Sequence, residues 1–395
     1  MTHKPTSSLD AFANAKLKAL EATNRRRELT SAARGPAMAL TAGGRDMISF
    51  TDNDYLGLST HPAVVAAAVE ATQRYGAGSG ASRLVTGNHP LYAELEAKIA
   101  DFKGMEAAIV FGSGYLANSG IIPALVGKSD VILADELIHT SIHAGLKLSG
   151  ATVRFFRHND VAHAAEILDA ERSRFDRALM VVDGVYSMDG DIAPLKALGE
   201  LCASHDVWLM SDDAHGLGTI GAGRGAVAAM GAEGLVHLQM GTLSKAIGGY
   251  GGYLAASRVV IDLMKTRARS LVYTTGLPPG TVAAALKALE LIEADAEMVA
   301  RPVMLARRFT EALGLPAPET PIVPLVIGAE ADAMAASAAL AEAGYKVTAF
   351  RPPTVPEGTS RLRFCFSASH RDEDVTGLIA AVRALGLSAL TKAAE

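Results

Sequence analysis

The stretch LMVVDGVYSMDGDIAPLKALGELCASHDVWLMSDDAHG (residues 179–216) decides the fold. It opens on an apolar run, LMVVDG (179–184), and ends on another, VWLMSDD (207–213), with a helix-like segment between them. Runs that stay apolar at successive positions bury both faces, as strands do in a mostly parallel sheet covered by helices. The same unit recurs outward in both directions: AAIVF (107–111), VILAD (131–135), TVRFF (152–156), VHLQMG (236–241) and GYLAA (252–256) are spaced by helical stretches. One of these, HNDVAHAAEILDAERSRF (158–175), has Asn159 or Asp160 to cap a crossover helix. The pattern predicts an α/β protein whose large domain is built on a mostly parallel central sheet.

The flanks differ from this middle. Residues 1–45 read as a polar helical arm containing NRRRE (24–28), and residues 46–280 as the large domain. Residues 281–395 read as a smaller C-terminal α+β domain. Its order is long Ala/Leu/Glu helices (281–313), a strand PIVPLVIG (321–328), a helix (330–343), YKVTAF, RLRFCFSASH and a last helix (372–385).

Charge and composition exclude several classes. With 37 Lys+Arg against 42 Asp+Glu the net charge is −5, and no run of like charge suggests a nucleic-acid footprint or a polybasic membrane surface. Residues 107–127 carry no charge over a length that could span a bilayer. Gly112, Gly114, Asn118, Gly120 and Pro123 punctuate that stretch, so strand, turn and buried helix account for it better. MTHKPTSSLDAF (1–12) lacks the apolar core of a signal peptide, and Cys202 and Cys365 are too far apart to read as a metal pair. The expectation is a cytoplasmic protein with no membrane or nucleic-acid partner. Glycine is in surplus, 38 of 395 residues, and 15 of the 38 fall between Gly184 and Gly252.

Ligands of open parallel sheets sit beyond the carboxyl ends of the strands. The segments that follow the apolar runs are GSGYLAN (112–118), DELIHTSIH (135–143), DGVYSMDGD (183–191), SDDAHG (211–216) and GTLSK (241–245). Three chemistries compete for them. GLGTIG (216–221) matches a dinucleotide fingerprint, but GAGRGA continues it where a helix would have to open. His139 and His143 have the spacing of a helical zinc site, but Thr140 stands where its glutamate belongs. Pyridoxal 5'-phosphate accounts for more residues at once. It needs a lysine for a Schiff base, a carboxylate for the pyridinium nitrogen, and hydroxyls with backbone amides for the phosphate. Lys245, Asp212, Ser187, Thr242 and the turn Gly112–Tyr115 supply that set.

At this point several motifs resemble a known family. NDYLGLSTHP (53–62), GSGASRLVTGNHPLYAELE (78–96), YSMDGD (186–191), DDAHGLG (212–218) and TLSKAIGGYGG (242–252) are similar to those of the α-oxoamine synthases, fold-type I pyridoxal-phosphate enzymes, in the same order over nearly the whole chain. VTAFRPPTVPEGTSRLRF (347–364) resembles the branch that condenses L-alanine with a pimeloyl thioester to 8-amino-7-oxononanoate, with loss of CO₂, in biotin biosynthesis. Sister branches, such as glycine C-acetyltransferase, 5-aminolevulinate synthase and serine palmitoyltransferase, are the alternative.

The resemblance implies roles residue by residue. Lys245 matches the Schiff-base lysine, Asp212 the partner of the pyridinium nitrogen, His215 the donor to the phenolic oxygen and His139 the ring-stacking histidine. Ser187, Thr242 and the backbone at Gly114 and Tyr115 match further cofactor positions. Arg25 and Thr354 match substrate contacts, and Arg351 the arginine that takes the amino-acid carboxylate. Thr274 and Thr275 match a stretch that reaches a neighbouring subunit's phosphate, which implies a homodimer. The acyl group would arrive on coenzyme A or on an acyl-carrier protein. Asp183 departs from the pattern, standing where several relatives have glutamate.

Overall fold

The computed structural model describes residues 7–23 and 25–387; residues 1–6, Asn24 and residues 388–395, the outer ends of the expected arm and C-terminal domain among them, lie outside the described set. Three sheets organise the chain. Near the N-terminus, β1 (Ala32–Arg34), β2 (Ala39–Ala42) and β3 (Arg45–Ser49) form an antiparallel meander. The central sheet holds β4 (Ala107–Phe111), β5 (Val131–Asp135), β6 (Thr152–Phe156), β7 (Ala178–Asp183), β8 (Trp208–Asp212), β9 (Leu238–Thr242) and β10 (Gly252–Ala256). In the C-terminal region β11 (Ile322–Gly328), β13 (Thr348–Phe350) and β14 (Ser360–Cys365) form a third sheet, while the two-residue β12 (Tyr345–Lys346) runs parallel to β3 and completes the first.

The seven central strands coincide with the seven apolar runs, in the order β4-β10-β9-β8-β7-β5-β6. All run parallel except β10, which pairs antiparallel with β4 and β9. Alternate residues of each strand enter different cores. Ala108, Val110, Leu133, Met180, Val182, Leu209 and Tyr253 pack on one face of the sheet, and Ile109, Ile132, Ala134, Leu179, Val181, Met210 and Leu254 on the other. Full burial of each large aliphatic side chain is worth about 1.5–3 kcal/mol, so two loaded faces leave few positions for a polar residue before the strand ends, Ser211 on β8 and Gln239 on β9 being buried exceptions. Four strands end on a polar side chain at the carboxyl edge: Asp135 on β5, Asp183 on β7, Asp212 on β8 and Thr242 on β9.

The uncharged stretch 107–127 is β4, a turn, and the helix Gly114–Leu125, with Pro123 near its end. Among the described residues no helix is long and apolar enough to cross a membrane. The crossover helix is Val161–Glu171, and Asp160 caps it by accepting from His163 N at 2.9 Å.

The arm differs from a single helical segment. Its helix is confined to Ser8–Ala22, closed by a capping box of Ser7 and Asp10, and none of its residues is buried. Ala32–Arg34 and Ala39–Ala42, expected as helix, are strands, β1 pairing with β2 and β2 with β3. The core of the C-terminal unit also reaches back across the chain: Phe50 is fully buried there, with Phe366 at 5.7 Å and the His370 ring stacked on it at 4.0 Å.

Candidate active site

A cavity of about 200 Å³ opens at the carboxyl edge of the central sheet. It is lined from the helix Gly114–Leu125 by Gly114 and Tyr115, from the segment after β5 by His139, and from strand ends by Asp183, Asp212 and Thr242. His215, Ser244 and Lys245 complete its polar wall.

Its shape follows from a few local choices. Ser113 caps the helix, its hydroxyl accepting from Leu116 N at 3.1 Å. That leaves the first-turn amides of Gly114 and Tyr115 without partners inside the helix, at the positive end of its dipole. Strand β10 presses against this turn: a Cβ on Gly252 would stand 2.6 Å from Ser113 O and 2.8 Å from Gly114 N, so only glycine lets the strand come this near. Thr242 Oγ1 donates to Gly251 O at 2.8 Å and is 2.7 Å from Ser244 Oγ, which brings two hydroxyls together beside the helix start.

The acid–base groups form a chain. Lys245 Nζ lies 2.8 Å from His215 Nε2, and His215 Nδ1 lies 2.7 Å from the Tyr55 hydroxyl. Burial, and then the positive charge of Lys245, push His215 well below the ordinary histidine range, so the ring is neutral. Its Nε2 then accepts from Lys245 and its Nδ1 donates to Tyr55. Burial also pushes Lys245 down to about 8, with Asp212 and Asp183 pulling the other way. Asp212 is 4% exposed and is held as an acceptor by Asn118 Nδ2 at 2.7 Å and Ala214 N at 3.0 Å.

Of the residues singled out from the sequence, Lys245, His215, Asp212, His139, Thr242, Gly114 and Tyr115 meet in this cavity. Ser187 lies outside its lining, in the turn between Val185 and Ile192, and its carbonyl accepts from Arg363 Nη1 at 2.9 Å. Thr274 and Thr275 are also outside it, in a segment that pairs with Ser82 and is tied down by Ser79 Oγ donating to Gly276 O. Arg25 is bound through Nη2 to Glu330 at 3.0 Å and Glu357 at 2.7 Å, and Thr354 accepts from Arg27 at 3.1 Å. Arg351 is half-buried after β13. GLGTIG is followed by turns and the four-residue helix Ala226–Ala229, so the geometry of a dinucleotide site is not formed. His143 turns away toward the Phe155 ring, 5.6 Å off.

Several residues of the site were not singled out. Asn118 and Tyr55 orient Asp212 and His215, and both lay in quoted stretches whose partners could not be read from spacing. Arg363 is not among the lining residues; it is 4% exposed, donates to Asn53 Oδ1 at 2.7 Å and lies over the Phe350 ring at 4.9 Å. Among the described residues its Nε is buried without a hydrogen-bond partner, and its charge depresses both Lys245 and His215. An arginine alternating with leucine in RLRF looks like one face of a strand, which hid it.

A family model described as aminotransferase class I and II matches residues 45–382. The 8-amino-7-oxononanoate synthase of Methylocella silvestris is 62% identical over 346 residues, covering 88% of this chain and 99% of that one. Among solved structures, Sphingomonas wittichii serine palmitoyltransferase superposes with a TM-score of 0.87 at 32% identity, over 97% of this chain and 99% of that one. A serine palmitoyltransferase from S. paucimobilis with a bound PLP–myriocin aldimine superposes with a TM-score of 0.86 at 30% identity, over 97% and 100%.

Proposed function

The chain belongs to the class I and II aminotransferases, within them to the α-oxoamine synthases, and on that premise we propose that it condenses L-alanine with a pimeloyl thioester to 8-amino-7-oxononanoate, CO₂ and the free thiol, in biotin biosynthesis. The observation that carries this reading is one cavity holding a desolvated lysine, a carboxylate fixed by two donors and the open start of a helix, in a chain 62% identical to an enzyme of that name.

The cavity's donor set fits pyridoxal 5'-phosphate. The first-turn amides at Gly114 and Tyr115, which have no acceptor within their own helix, with the hydroxyls of Thr242 and Ser244 suit a phosphate dianion. Asp212 suits a protonated ring nitrogen, His139 at the exposed mouth offers a flat ring, and Lys245 a Schiff-base amine. Bound there, the cofactor supplies an electron sink for a carbanion at the amino acid's α-carbon.

The chain's own groups do the rest. Lys245, lowered to about 8 by burial, can take the α-proton of alanine in its free-amine form and later return one. His215 fixes the direction of the amine through its 2.8 Å contact, and Tyr55 fixes the tautomer of His215. We assign the alanine carboxylate to Arg363, backed by Asn53, because this guanidinium is the buried cation whose charge reaches Lys245. Arg351, the arginine expected from the motif, is the comparison case. Arg25 and Thr354 are retained as candidate contacts for the far end of the acyl chain, and Ser187 as a candidate phosphate contact.

We further propose a cytoplasmic homodimer in which Thr274 and Thr275 serve a second copy's site. Supporting this, the two threonines lie off their own cavity beside exposed Tyr273, and Leu84 and Val85 are also exposed next to the Ser82 pairing. Both cysteines are buried free thiols, the state a reducing compartment maintains.

The test is a thiol-release assay that crosses pimeloyl-, acetyl-, succinyl- and palmitoyl-CoA with alanine, glycine and serine. Turnover confined to pimeloyl-CoA with alanine is the expected result. Turnover with serine and palmitoyl-CoA, or glycine with a short acyl-CoA, would move the chain to a sister branch.

A further inference from the structure

Asp183 and Asp212 are register partners at the carboxyl ends of β7 and β8. Partners on neighbouring strands project from the same face, and both side chains line the cavity at 4% exposure. Two buried carboxylates side by side do not both ionise readily. The donors decide which one keeps the proton. Asp212 receives two, from Asn118 Nδ2 at 2.7 Å and Ala214 N at 3.0 Å, and Asn118 is itself fixed by Ser141 Oγ at 2.9 Å. Among the described residues Asp183 receives one, from His139 N at a long 3.3 Å.

We propose that the pair holds a single proton, resident on Asp183, so that Asp212 alone carries negative charge into the cavity. The surroundings agree. Burial and the neighbouring Asp212 push the Asp183 carboxyl well above the ordinary carboxylate range, while the His139 amide and Lys245 oppose this and Asp135 adds to it. Asp135, on the next strand, has its own cation in His158, whose Nδ1 lies 3.0 Å away, so it does not compete for Lys245. Tyr186, also close, is neutral, held well above its ordinary range by burial.

The arrangement matters for the amine. Each carboxylate facing Lys245 favours its ammonium form, and both Asp212 and Asp183 do so when ionised. A neutral Asp183 removes one of the two and presents an O–H donor to the cavity instead. This consequence rests on the cofactor reading above; the location of the proton does not.

Infrared spectra of the apo-protein, with aspartate labelled by ¹³C in its side-chain carboxyl, read the proton directly. A labelled carboxylic-acid carbonyl band at neutral pH should be lost in Asp183→Asn and in Asp183→Glu, whose new carboxyl is unlabelled, and kept in Asp212→Asn. A band lost in Asp212→Asn and kept in both Asp183 variants overturns the proposal, as does a wild-type spectrum with no such band. Apo-protein stability gives a second readout should a variant fold poorly. Asp183 binds its proton more tightly in the native state than in the unfolded chain. The contribution of Asp183 to wild-type stability therefore falls as pH rises from about 3.9, the unfolded value, through the raised native one. Asp183→Asn should lack that fall, and an unchanged slope would contradict the assignment. Titration of wild-type apo-protein with pyridoxal 5'-phosphate, followed by its near-visible absorbance, tests the cofactor reading independently of both.

Discussion

Lys103 Nζ donates to Asp213 Oδ2 at 2.8 Å, with the two side chains 1% and 0% exposed. Asp213 directly follows Asp212, and it is enclosed by the loop that comes after it. Ala226 N donates to Oδ1 at 3.0 Å, and a Cβ at Gly225 would fall 1.7 Å from Oδ2. Lys103 also donates to Arg224 O, so one ammonium ties the end of the helix Leu91–Lys103 to both the strand end and the loop.

Lys103→Met should therefore leave a buried carboxylate without its cation, at a loss of about 3–5 kcal/mol in urea unfolding. Adding Asp213→Asn should recover most of that loss, because the remaining group is neutral. A single variant as stable as wild type would show that the loop does not depend on this pair.

Lys245→Ala should lower thiol release by at least about 10³-fold, the scale of a lost general base. The fold should survive, since the change removes an amine that burial already pushes down to about 8. Circular dichroism melts beside the assay separate the two effects.

Arg363→Lys should raise the KM for alanine by about 10–100-fold, the worth of a charge-assisted hydrogen bond in a planar, two-pronged contact. The KM for the acyl thioester should change far less. The same substitution at Arg351 should leave the alanine KM within about threefold; the reverse ranking would return the carboxylate to Arg351.

His158 gives the protein an alkaline limit. Its Nδ1 faces Asp135 at 3.0 Å and its Nε2 faces Asp191 at 2.7 Å, joining the segment before His139 to the turn that carries Ser187. Burial opposes the charge, but the hydrogen bonds to Asp135 and Asp191, with their charges, push it up to about 10. A histidine raised in this way stabilises the fold fully below its unfolded value, about 6.5, and the contribution is lost as pH rises through 10. His158→Gln should lose about 1.5–3 kcal/mol near neutrality and converge on wild type above pH 10, as followed by urea titrations across pH.

The large domain was legible because strands buried on both faces admit almost no polar residue, which made seven runs stand out and put the site residues just after them. Strand direction was less so. β10 reverses because residues 243–251 turn back without a helix, and only a helix-length connection returns a strand parallel. The strands Ala32–Arg34 and Ala39–Ala42 escaped because they are short and of weak propensity, and they gain their stability from pairing, β1 on β2 and β2 on β3. In the site, Lys245, Asp212 and His215 could be read from short segments next to strands. Arg363, Asn53 and Tyr55 could not, since each acquires its role through a contact more than a hundred residues away.

The two-residue strand β12 pairs with β3, Cys365 N donates to Phe50 O, and Phe50 fills the core of the C-terminal unit. A ribosome delivers residues 45–50 some three hundred residues before the partners that cover them. The nascent chain thus keeps Phe50 and the free edge of β3 unsatisfied until residues 345–366 have been made, and the large domain can close first while this early segment waits on its late partners.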